Sequence, residues 1–333
     1  MNNFWSKIPK PMFVMAPLSD VTDCVFRDLI ALKSRHGEEG GGPAVFYTEF
    51  VAADGLAHPV AKDRLMIDLK YGEREMPVIA QIFSGKPENM KKAAALAREL
   101  GFDGVDINMG CPDKKVEKQG AGSGLIKDPE HAVRIVEATR EGAGDIPVSV
   151  KTRIGYNDIS YEWIQTLLSL KLPALAVHMR TRKEMSDVPA HWELMPDLVA
   201  LRDSISPETV LIGNGDIWSM EEGKEKVRTS GCDGAMIGRG IFGNPWFFDE
   251  HKTEVTVEEK LDTLMEHTYQ YEKVLGTFKN FAVMKKHYKA YVTGFPDAKE
   301  LRVLLMDCNT ASEIEKEINI FKEKNPHLLS AVI

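Results

Sequence analysis

The stretch that decides the fold is Gly104-Val-Asp-Ile-Asn-Met-Gly-Cys-Pro112. A short, mainly apolar run, Gly104–Ile107, ends abruptly at Asn108, and Cys111 follows three residues later. This pattern predicts a buried strand that delivers a thiol to a loop. The next dozen residues are basic and rich in glycine, so the loop is expected to be mobile and to suit a polyanionic ligand. The alternative is a cysteine that only fills a tight turn.

Outward from this stretch, similar short apolar runs recur along the chain. They are continuous rather than alternating, which is typical of parallel strands that are buried on both faces. With Gly104–Ile107 they make eight: Met12–Ala16, Ala44–Tyr47, Pro77–Ile82, Pro147–Val150, Ala174–Val177, Val210–Ile212 and Gly234–Ile237.

The segments between the runs have helical signals. Glu88–Leu100 is rich in strong helix formers and is followed by Gly101, and Pro129–Arg140 begins with proline after Asp128 as its cap. Eight strands with helical crossovers over roughly 250 residues predict an α/β protein, a (β/α)8 TIM barrel. A doubly wound sheet is the alternative, with fewer strands and a phosphate loop at the first. The barrel is favoured because chemically useful residues follow many of the runs: Pro17, Glu49, Phe83, Asn108, Lys151, His178, Asn214 and Gly238.

After Asp249 the strand pattern stops. Thr256-Val-Glu-Glu259 predicts a capped helix, Gly294–Asp297 breaks a later one, and Ser312 is expected to cap the last. Four helix faces are predicted: Leu261, Leu264, Met265 and Thr268; Phe281, Met284, Tyr288 and Tyr291 or Val292; Leu301, Leu304, Leu305 and Cys308; and Ile314, Ile318 and Phe321. The predicted division is a catalytic barrel, 1–250, followed by a small all-helical domain, 253–333.

Composition narrows the function classes. No apolar run approaches the roughly 18 residues that span a membrane, and the first residues have no apolar signal core. Four scattered cysteines form no zinc pattern, so we expect no metal, no membrane partner and a reducing, cytoplasmic location. The chain is also expected to be a monomer.

The net charge of −8 argues against nucleic acid as a partner, but one segment departs from it. Between Lys273 and Arg302 there are seven basic and two acidic residues, a balance of +5. This segment is either a nucleic-acid contact or a solvated helix face.

Two late loops predict a phosphate site. Asn214, Gly215 and Asp216 follow the seventh run, and Gly238 and Arg239 follow the eighth. In barrels these loops offer backbone N–H groups to phosphate, and glycines allow close approach. The stretch 238–243 also fits GxGxxG, but no further βαβ unit follows it, which disfavours a dinucleotide fold.

Three polar residues at strand ends suit a cofactor. Lys151 would place positive charge near an anionic cofactor ring, His178 would bind phosphate or a carbonyl, and Gln81 would bind a flavin edge. Each has a plainer reading, as a surface lysine, a structural histidine and a core amide.

Several motifs together resemble the tRNA-dihydrouridine synthase family, most closely its bacterial B-type branch. In chain order they are Met15-Ala-Pro-Leu-Ser-Asp-Val-Thr-Asp23, Ile107-Asn-Met-Gly-Cys-Pro-Asp-Lys-Lys-Val116, Lys151-Thr-Arg-Ile-Gly155, His178-Met-Arg-Thr-Arg182, Asn214-Gly-Asp216 and Gly238-Arg-Gly240. The helical tail, with Met284-Lys-Lys-His-Tyr-Lys289, looks like that family's RNA-binding domain.

The resemblance implies bound FMN, reduction by NADPH, and a uridine of the tRNA D-loop as substrate. It assigns Cys111 as proton donor and Asn108 as a uracil contact. Further substrate contacts are expected at Arg180, Arg182, Lys114, Lys115, Lys285, Lys286 and Lys289. The implied cofactor positions are Ala16, Pro17, Leu18, Gln81, Lys151, His178, Asn214, Gly215, Asp216, Gly238 and Arg239.

Two other functions stay open at this point. One is a flavin barrel that reduces a free pyrimidine, as dihydroorotate dehydrogenases do; the other is an RNA-binding protein without catalysis. If Cys111 is an acid, its thiol must stay protonated. Lys114 and Lys115 are therefore expected to point outward, because a nearby cation would lower the thiol pKa.

Overall fold

The architecture is a nearly closed parallel barrel surrounded by helices, and it confirms the predicted fold class. A computed structural model describes residues 3–333. Its strands are β1 Met12–Met15, β2 Phe46–Tyr47, β3 Val51–Ala52, β4 Val78–Phe83, β5 Gly104–Met109, β6 Val148–Gly155, β7 Ala174–Thr181, β8 Val210–Asn214 and β9 Gly234–Ile237. These strands pair in parallel with one another, in the order β1-β9-β8-β7-β6-β5-β4-β2, and β3 also pairs with β4.

The ring is completed between β1 and the segment that leads into β2. The Ala44 N–H donates to the Phe13 carbonyl at 2.7 Å, and the Met15 N–H donates to the Val45 carbonyl at 3.1 Å. The two short strands β2 and β3 together occupy the second position of the barrel, where a single strand was predicted.

Helices follow the strands as a βα barrel requires. They are α1 Cys24–Lys33, α2 Ala53–Leu56, α3 Pro59–Leu65, α4 Pro87–Glu99, α5 Lys114–Glu117, α6 Pro129–Ala143, α7 Tyr161–Ser169, α8 Met195–Ile205, α9 Met220–Ser230, α10 Val257–Leu275, α11 Lys285–Tyr291, α12 Ala298–Asp307 and α13 Ala311–Lys324. Two predicted starts are confirmed: Asp128 accepts the His131 N–H at 3.0 Å, and Thr256 forms a capping box with Glu259.

Five strands continue past the point where the apolar runs end. β4, β5, β6, β7 and β8 end at residues 83, 109, 155, 181 and 214 rather than at residues 82, 107, 150, 177 and 212. Polar side chains ended the predicted strands, but backbone pairing does not depend on side-chain polarity. In the register, Asn108 pairs with Lys151, so two of the expected site residues are direct neighbours in the sheet.

The helical tail differs from prediction at two places. The cap of α13 is Thr310, whose side chain accepts the Glu313 N–H at 3.2 Å, and not Ser312. Leu304 is half exposed, because Leu301, Leu305 and Cys308 form the buried stripe of α12 and Leu304 lies beside it.

Helix α1 takes part in both hydrophobic cores. Phe26 and Leu29 pack into the barrel core, whereas Cys24 and Val25 pack against the helices after residue 256. Helix α1 thus packs against both the barrel and the helical tail, and this packing alone does not separate two domains. The predicted division into residues 1–250 and 253–333 stays a prediction.

Ion pairs attach the helical tail to loops at the mouth of the barrel. Lys279 lies 2.6 Å from Glu49 and 2.8 Å from Asp68, and Lys286 lies 2.8 Å from Asp20. Burial alone lowers the pKa of Lys279, but its two carboxylate partners outweigh this effect and raise the pKa, so the residue is a cation.

A buried ion pair braces α1. Arg27 pairs with Glu75, and both side chains are almost fully buried. The Arg27 guanidinium also donates to the carbonyls of Thr22 at 2.7 Å and Lys70 at 2.6 Å. Each of the three guanidinium nitrogens therefore donates at least one hydrogen bond.

We predict that Glu75→Ala destabilises the protein by about 3–5 kcal/mol, because it leaves the Arg27 cation buried and unpaired. Urea unfolding followed by circular dichroism measures the change. The matched control is Arg74→Ala, which removes an exposed pair with Asp28 and should cost at most about 1 kcal/mol. Equal losses in the two variants would contradict the prediction.

Candidate active site

A cleft of about 290 Å³ opens at the carboxyl ends of the barrel strands. Thirteen of the residues expected from sequence line it, and the chain brings them together from six strands and their loops: Ala16, Pro17, Leu18, Asn108, Cys111, Lys151, His178, Arg180, Asn214, Gly215, Asp216, Gly238 and Arg239. Carboxyl ends of strands are where barrel enzymes carry their sites, so this cleft is the candidate active site.

Seven expected residues do not line the cleft. Gln81 is fully buried behind it. Lys114 and Lys115 are exposed on α5, as expected for cations that do not lower the thiol pKa. Arg182 makes two hydrogen bonds to Glu117, at 2.9 and 2.7 Å. The remaining three are on α11: Lys285, Lys286 and Lys289.

The α11 lysines differ in their surroundings. Lys285 donates to the Met306 carbonyl at 2.6 Å, Lys286 pairs with Asp20, and Lys289 is exposed. Lys279, counted in the same basic segment, is held between two carboxylates. Part of the +5 balance is thus neutralised within the protein.

The Cys111 loop is fixed by backbone contacts. The Cys111 carbonyl accepts the Ser123 N–H at 3.0 Å and the Ser123 hydroxyl at 2.8 Å. Gly122 is at φ +57°, and a Cβ there would come within 2.8 Å of the Cys111 carbonyl oxygen. Glycine is needed at this position because the two loop segments approach so closely.

A chain of buried side chains leads from the barrel interior to this loop. The Asn108 Oδ1 accepts the N–H groups of Gly110 at 3.1 Å and Cys111 at 2.9 Å. The Asn108 amide nitrogen donates to Gln81 Oε1 at 3.0 Å, and the Gln81 amide nitrogen donates to Asp106 Oδ2 at 2.8 Å.

The two ends of this chain set its direction. Backbone N–H groups only donate, so Asn108 must turn its oxygen to the loop. An ionised carboxylate only accepts, so Gln81 must turn its nitrogen to Asp106. Burial raises the Asp106 pKa to about 6, although hydrogen bonds from Ser149 and Gln81 oppose the rise. Above that pH, both ends specify the same amide orientations.

Lys151 is a partly buried cation at the mouth of the barrel. Its Nζ donates to Asn214 Oδ1 at 3.0 Å, and the Asn214 amide donates to the Met236 carbonyl at 2.7 Å. Burial, and then repulsion from Arg153, lower the Lys151 pKa to about 8. A negative group in the cleft would stabilise the charged form of this lysine.

The thiol of Cys111 is kept protonated by its surroundings. Burial raises its pKa, while Arg153 and Lys151 are the cations that oppose the rise. The outward placement of Lys114 and Lys115 agrees with this balance. Near neutral pH the group is a thiol, which can give a proton.

The loops after β8 and β9 form a cradle for an anion. Gly215 is at φ +123°, and a Cβ on Gly238 would meet only Ala16, at 3.9 Å, so the space before it is open. Asp216 pairs with Arg180 and with Arg239, the latter at 2.8 Å. Burial pulls the Asp216 pKa upward, but the arginines and the Ala190 N–H lower it.

His178 has an unused hydrogen-bonding atom beside this cradle. Its Nδ1 is buried without a partner among residues 3–333, and burial holds the pKa far below the usual value, so the ring is neutral. Such an atom is costly unless a ligand completes it. The cleft also carries four cations, Lys151, Arg153, Arg180 and Arg239, against the single carboxylate of Asp216. A phosphate-bearing cofactor fits this arrangement.

Sequence reasoning missed several lining residues: Phe50, Gly110, Pro112, Arg153, Ser186, Ile217, Trp218 and Met236. Arg153 had a signal, because it lies two positions after Lys151 and alternate strand residues share a face. It donates to the Gly110 carbonyl at 2.9 Å and so holds the cysteine loop. Phe50, Ser186 and Trp218 lie outside the strands, where periodicity gives no guidance.

The chain is similar to known proteins along most of its length. The sequence model described as Dihydrouridine synthase (Dus) matches residues 14–325. The chain belongs to the dihydrouridine synthase family, whose members are oxidoreductases. It is 41% identical over 325 residues to the "Probable tRNA-dihydrouridine synthase 2" of Bacillus subtilis, covering 97% of each chain. A "Probable tRNA-dihydrouridine synthase" of Staphylococcus aureus (strain MRSA252) is also 41% identical, over 96% of each chain.

Solved structures of similar fold support the barrel. An old yellow enzyme homologue from Zymomonas mobilis matches 70% of this chain and 86% of its own, with a TM-score of 0.50 and 13% identity. Histamine dehydrogenase from Rhizobium sp. 4-9 matches 82% of this chain and 50% of its own, with a TM-score of 0.51 and 12% identity. At these identities the likeness establishes the fold alone. Placement in the B-type branch stays a prediction.

None of the helices among residues 3–333 is both long and apolar enough to cross a membrane. No group of three or more histidine, cysteine, aspartate or glutamate side chains there is arranged to hold a metal ion.

We predict that Asp106→Asn and Asp106→Leu behave differently. The asparagine oxygen can still accept from Gln81 while its nitrogen donates to Ser149, so the amide chain keeps its direction. Leucine leaves the Gln81 amide nitrogen without an acceptor, which costs about 1–3 kcal/mol and releases the Cys111 loop.

Two measurements test this: urea unfolding, and the rate at which iodoacetamide alkylates Cys111, read by peptide mass spectrometry. We expect Asp106→Leu to be less stable and to alkylate several times faster than Asp106→Asn at the same pH. If the two variants have the same stability and the same alkylation rate, the hydrogen bonds from Asp106 through Gln81 to Asn108 do not position the thiol.

Proposed function

We propose that this protein is a tRNA-dihydrouridine synthase that reduces the C5–C6 double bond of a uridine in the tRNA D-loop, with FMN as its bound cofactor and NADPH as reductant. The observation that carries the proposal is the cleft itself, in which Cys111, Asn108, Lys151 and His178 meet beside an anion cradle. The names of relatives that are 41% identical over nearly the whole chain support the same substrate.

The cradle and the strand ends would hold FMN. Gly215, Asp216, Gly238 and Arg239 would take the phosphate, and the unpartnered His178 Nδ1 offers a further contact. Along the rest of the cleft, Ala16, Pro17, Leu18, Lys151 and Asn214 would line the cofactor. When bound and reduced, the flavin supplies the hydride that adds to C6 of uracil. Gln81 would act from behind, by orienting Asn108.

Lys151 would balance the negative charge of the reduced cofactor. Because its pKa is lowered to about 8, the uncharged amine and the ammonium form of Lys151 are close in free energy near that pH. An anionic neighbour favours the ammonium form, so cofactor binding and protonation of Lys151 would reinforce each other.

Cys111 would donate the proton that C5 requires. The acid must be protonated at working pH, and the raised pKa of the buried thiol meets this requirement. Asn108 would hold the uracil beside it. One N–H of its amide is used by Gln81, and the second, which has no acceptor among residues 3–333, would donate to a uracil carbonyl.

Substrate tRNA would be held by cations around the mouth. Arg180 lines the cleft, whereas Lys114 and Lys115 are exposed on the short helix after Cys111. Lys285, Lys286 and Lys289 of α11 would contact phosphates farther along the RNA. Arg182 is engaged by Glu117, so its part would be to hold the Cys111 loop in place.

We expect Cys111→Ala to lose most tRNA reduction while it retains flavin and is still reduced by NADPH, because only the proton donor is removed. Dihydrouridine formed in unmodified tRNA is measured by mass spectrometry under single-turnover conditions. Cys308→Ala, a buried thiol of the helical tail, is the matched control and should resemble the parent. Normal turnover by Cys111→Ala would refute the assignment.

The same assay over a pH range tests the acid. A raised thiol pKa means that the proton donor persists to higher pH than usual. Activity assigned to this acid should be complete below the ordinary thiol value of about 8.5 and should fall only above it. Reduction of tRNA without reduction of free uridine or orotate separates the proposal from a pyrimidine-reducing barrel.

We expect Gly238→Ala with Arg239→Ala to give a folded protein with little bound flavin. The added methyl group enters the open cradle, and the second change removes a cation from it. Absorbance at the flavin band, relative to protein, measures occupancy. The control is Arg228→Ala, an exposed α9 residue paired with Glu225. Unchanged occupancy in the double variant would place the phosphate elsewhere.

A further inference from the structure

One exposed tryptophan stands at the rim of the cleft. The chain has five tryptophans. Trp5, Trp163 and Trp246 are buried and Trp192 is partly buried, whereas Trp218 is 55% exposed. A single exposed apolar side chain is ordinary, but an aromatic ring at the rim of a ligand cleft lies where a flat ligand can stack on it.

The ring is presented on a rigid support. The backbone N–H of Trp218 donates to the Glu222 carboxylate at 2.8 Å. The Ser219 hydroxyl caps the start of α9 by accepting the backbone N–H of Glu222 at 3.1 Å. The preceding residue, Ile217, is buried in the barrel core. The Arg239 guanidinium lies over the indole, 5.1 Å from the ring centroid. The backbone that carries the indole is therefore fixed at the start of α9, and the ring itself is in contact with Arg239.

Trp218 also joins two depressions of the surface. It lines the catalytic cleft, and it lines a groove of about 630 Å³ between the barrel and the helical tail. The groove passes Phe242 and Trp246 on the barrel side and reaches Ala290, near the end of α11, and Thr293, which follows it. A polymer that left the cleft along this groove would cross the Trp218 ring.

We propose that Trp218 is a stacking platform for an unpaired base of the RNA substrate next to the uridine in the cleft. The proposal rests on the proposed function, since a uridine must leave its stack to reach the cleft and thereby deprives its neighbour of a stacking partner. An aromatic face replaces that partner for any base. The excess of cations in the cleft suits the phosphates on either side.

Variants at Trp218 and at the α11 lysines distinguish two contributions to tRNA binding, base stacking and phosphate contacts. Stacking displaces few counterions, whereas lysine contacts release them and make binding salt-dependent. Trp218→Ala should weaken tRNA binding about tenfold, within about 5- to 150-fold, and should leave the slope of affinity against salt unchanged. Trp218→Phe should lie between this variant and the parent. Removing Lys285, Lys286 and Lys289 together should instead flatten the slope.

The experiment uses the full-length, flavin-loaded protein and unmodified tRNA, with binding isotherms at two salt concentrations. The matched control is Tyr161→Ala, an exposed aromatic at the start of α7 that does not line the cleft; its affinity should equal that of the parent. Intrinsic fluorescence gives an independent reading. Acrylamide quenching should be strongest for Trp218, and tRNA should protect that component, which disappears in Trp218→Phe.

Several results would overturn the platform. They are unchanged tRNA affinity in Trp218→Ala, a fall in flavin content, or a rise in the KM for NADPH without a change for tRNA, which would assign the ring to the reductant. Failure of the proposed function is distinguishable, because it would show as parent protein that binds tRNA but forms no dihydrouridine. Base stacking is read from binding and fluorescence, and so does not depend on turnover.

Discussion

The site depends on a buried carboxylate whose hydrogen bonds can run in one direction only. The interior of a parallel barrel excludes water, so each polar group that enters it needs a protein partner. Asp106 meets this requirement at one end and the N–H groups of the cysteine loop meet it at the other, with Gln81 and Asn108 between them. The thiol is thus placed by the barrel core as much as by its own loop.

The second constraint is electrostatic. An acidic chain concentrates cations at one end of its barrel, where Lys151 and Arg153 are both buried enough to have lowered pKa values. Repulsion among these cations lowers the stability of the folded protein, and an anionic ligand in the cleft reduces that repulsion. The same arrangement favours capture of polyanions while most of the surface repels them. The overall charge of −8 therefore says little about the partner of this cleft.

Much of the fold and of the cleft followed from short-range signals. Continuous apolar runs located the barrel strands, and the residue after each run pointed to the mouth, because parallel strands end on one face. What escaped were features that depend on distant partners. The division of the second strand and the extension of β6 to Gly155 are set by pairing across the molecule. The cap at Thr310 is local, three residues from Glu313, and it was missed because Ser312 offered a similar pattern two residues later. Trp218 was missed because its loop has no period to read.

The ion pairs of Lys279 bear on how this architecture can be recombined. The cation belongs to the helical tail, but Glu49 and Asp68 belong to loops of the barrel, and Glu49 also accepts the Asp20 N–H at 2.5 Å. A tail exchanged between relatives would bring its own lysine or leave a buried carboxylate without a counter-charge at the rim of the cleft. We therefore expect chimaeras to fold and function only when Lys279 is exchanged together with its barrel partners Glu49 and Asp68.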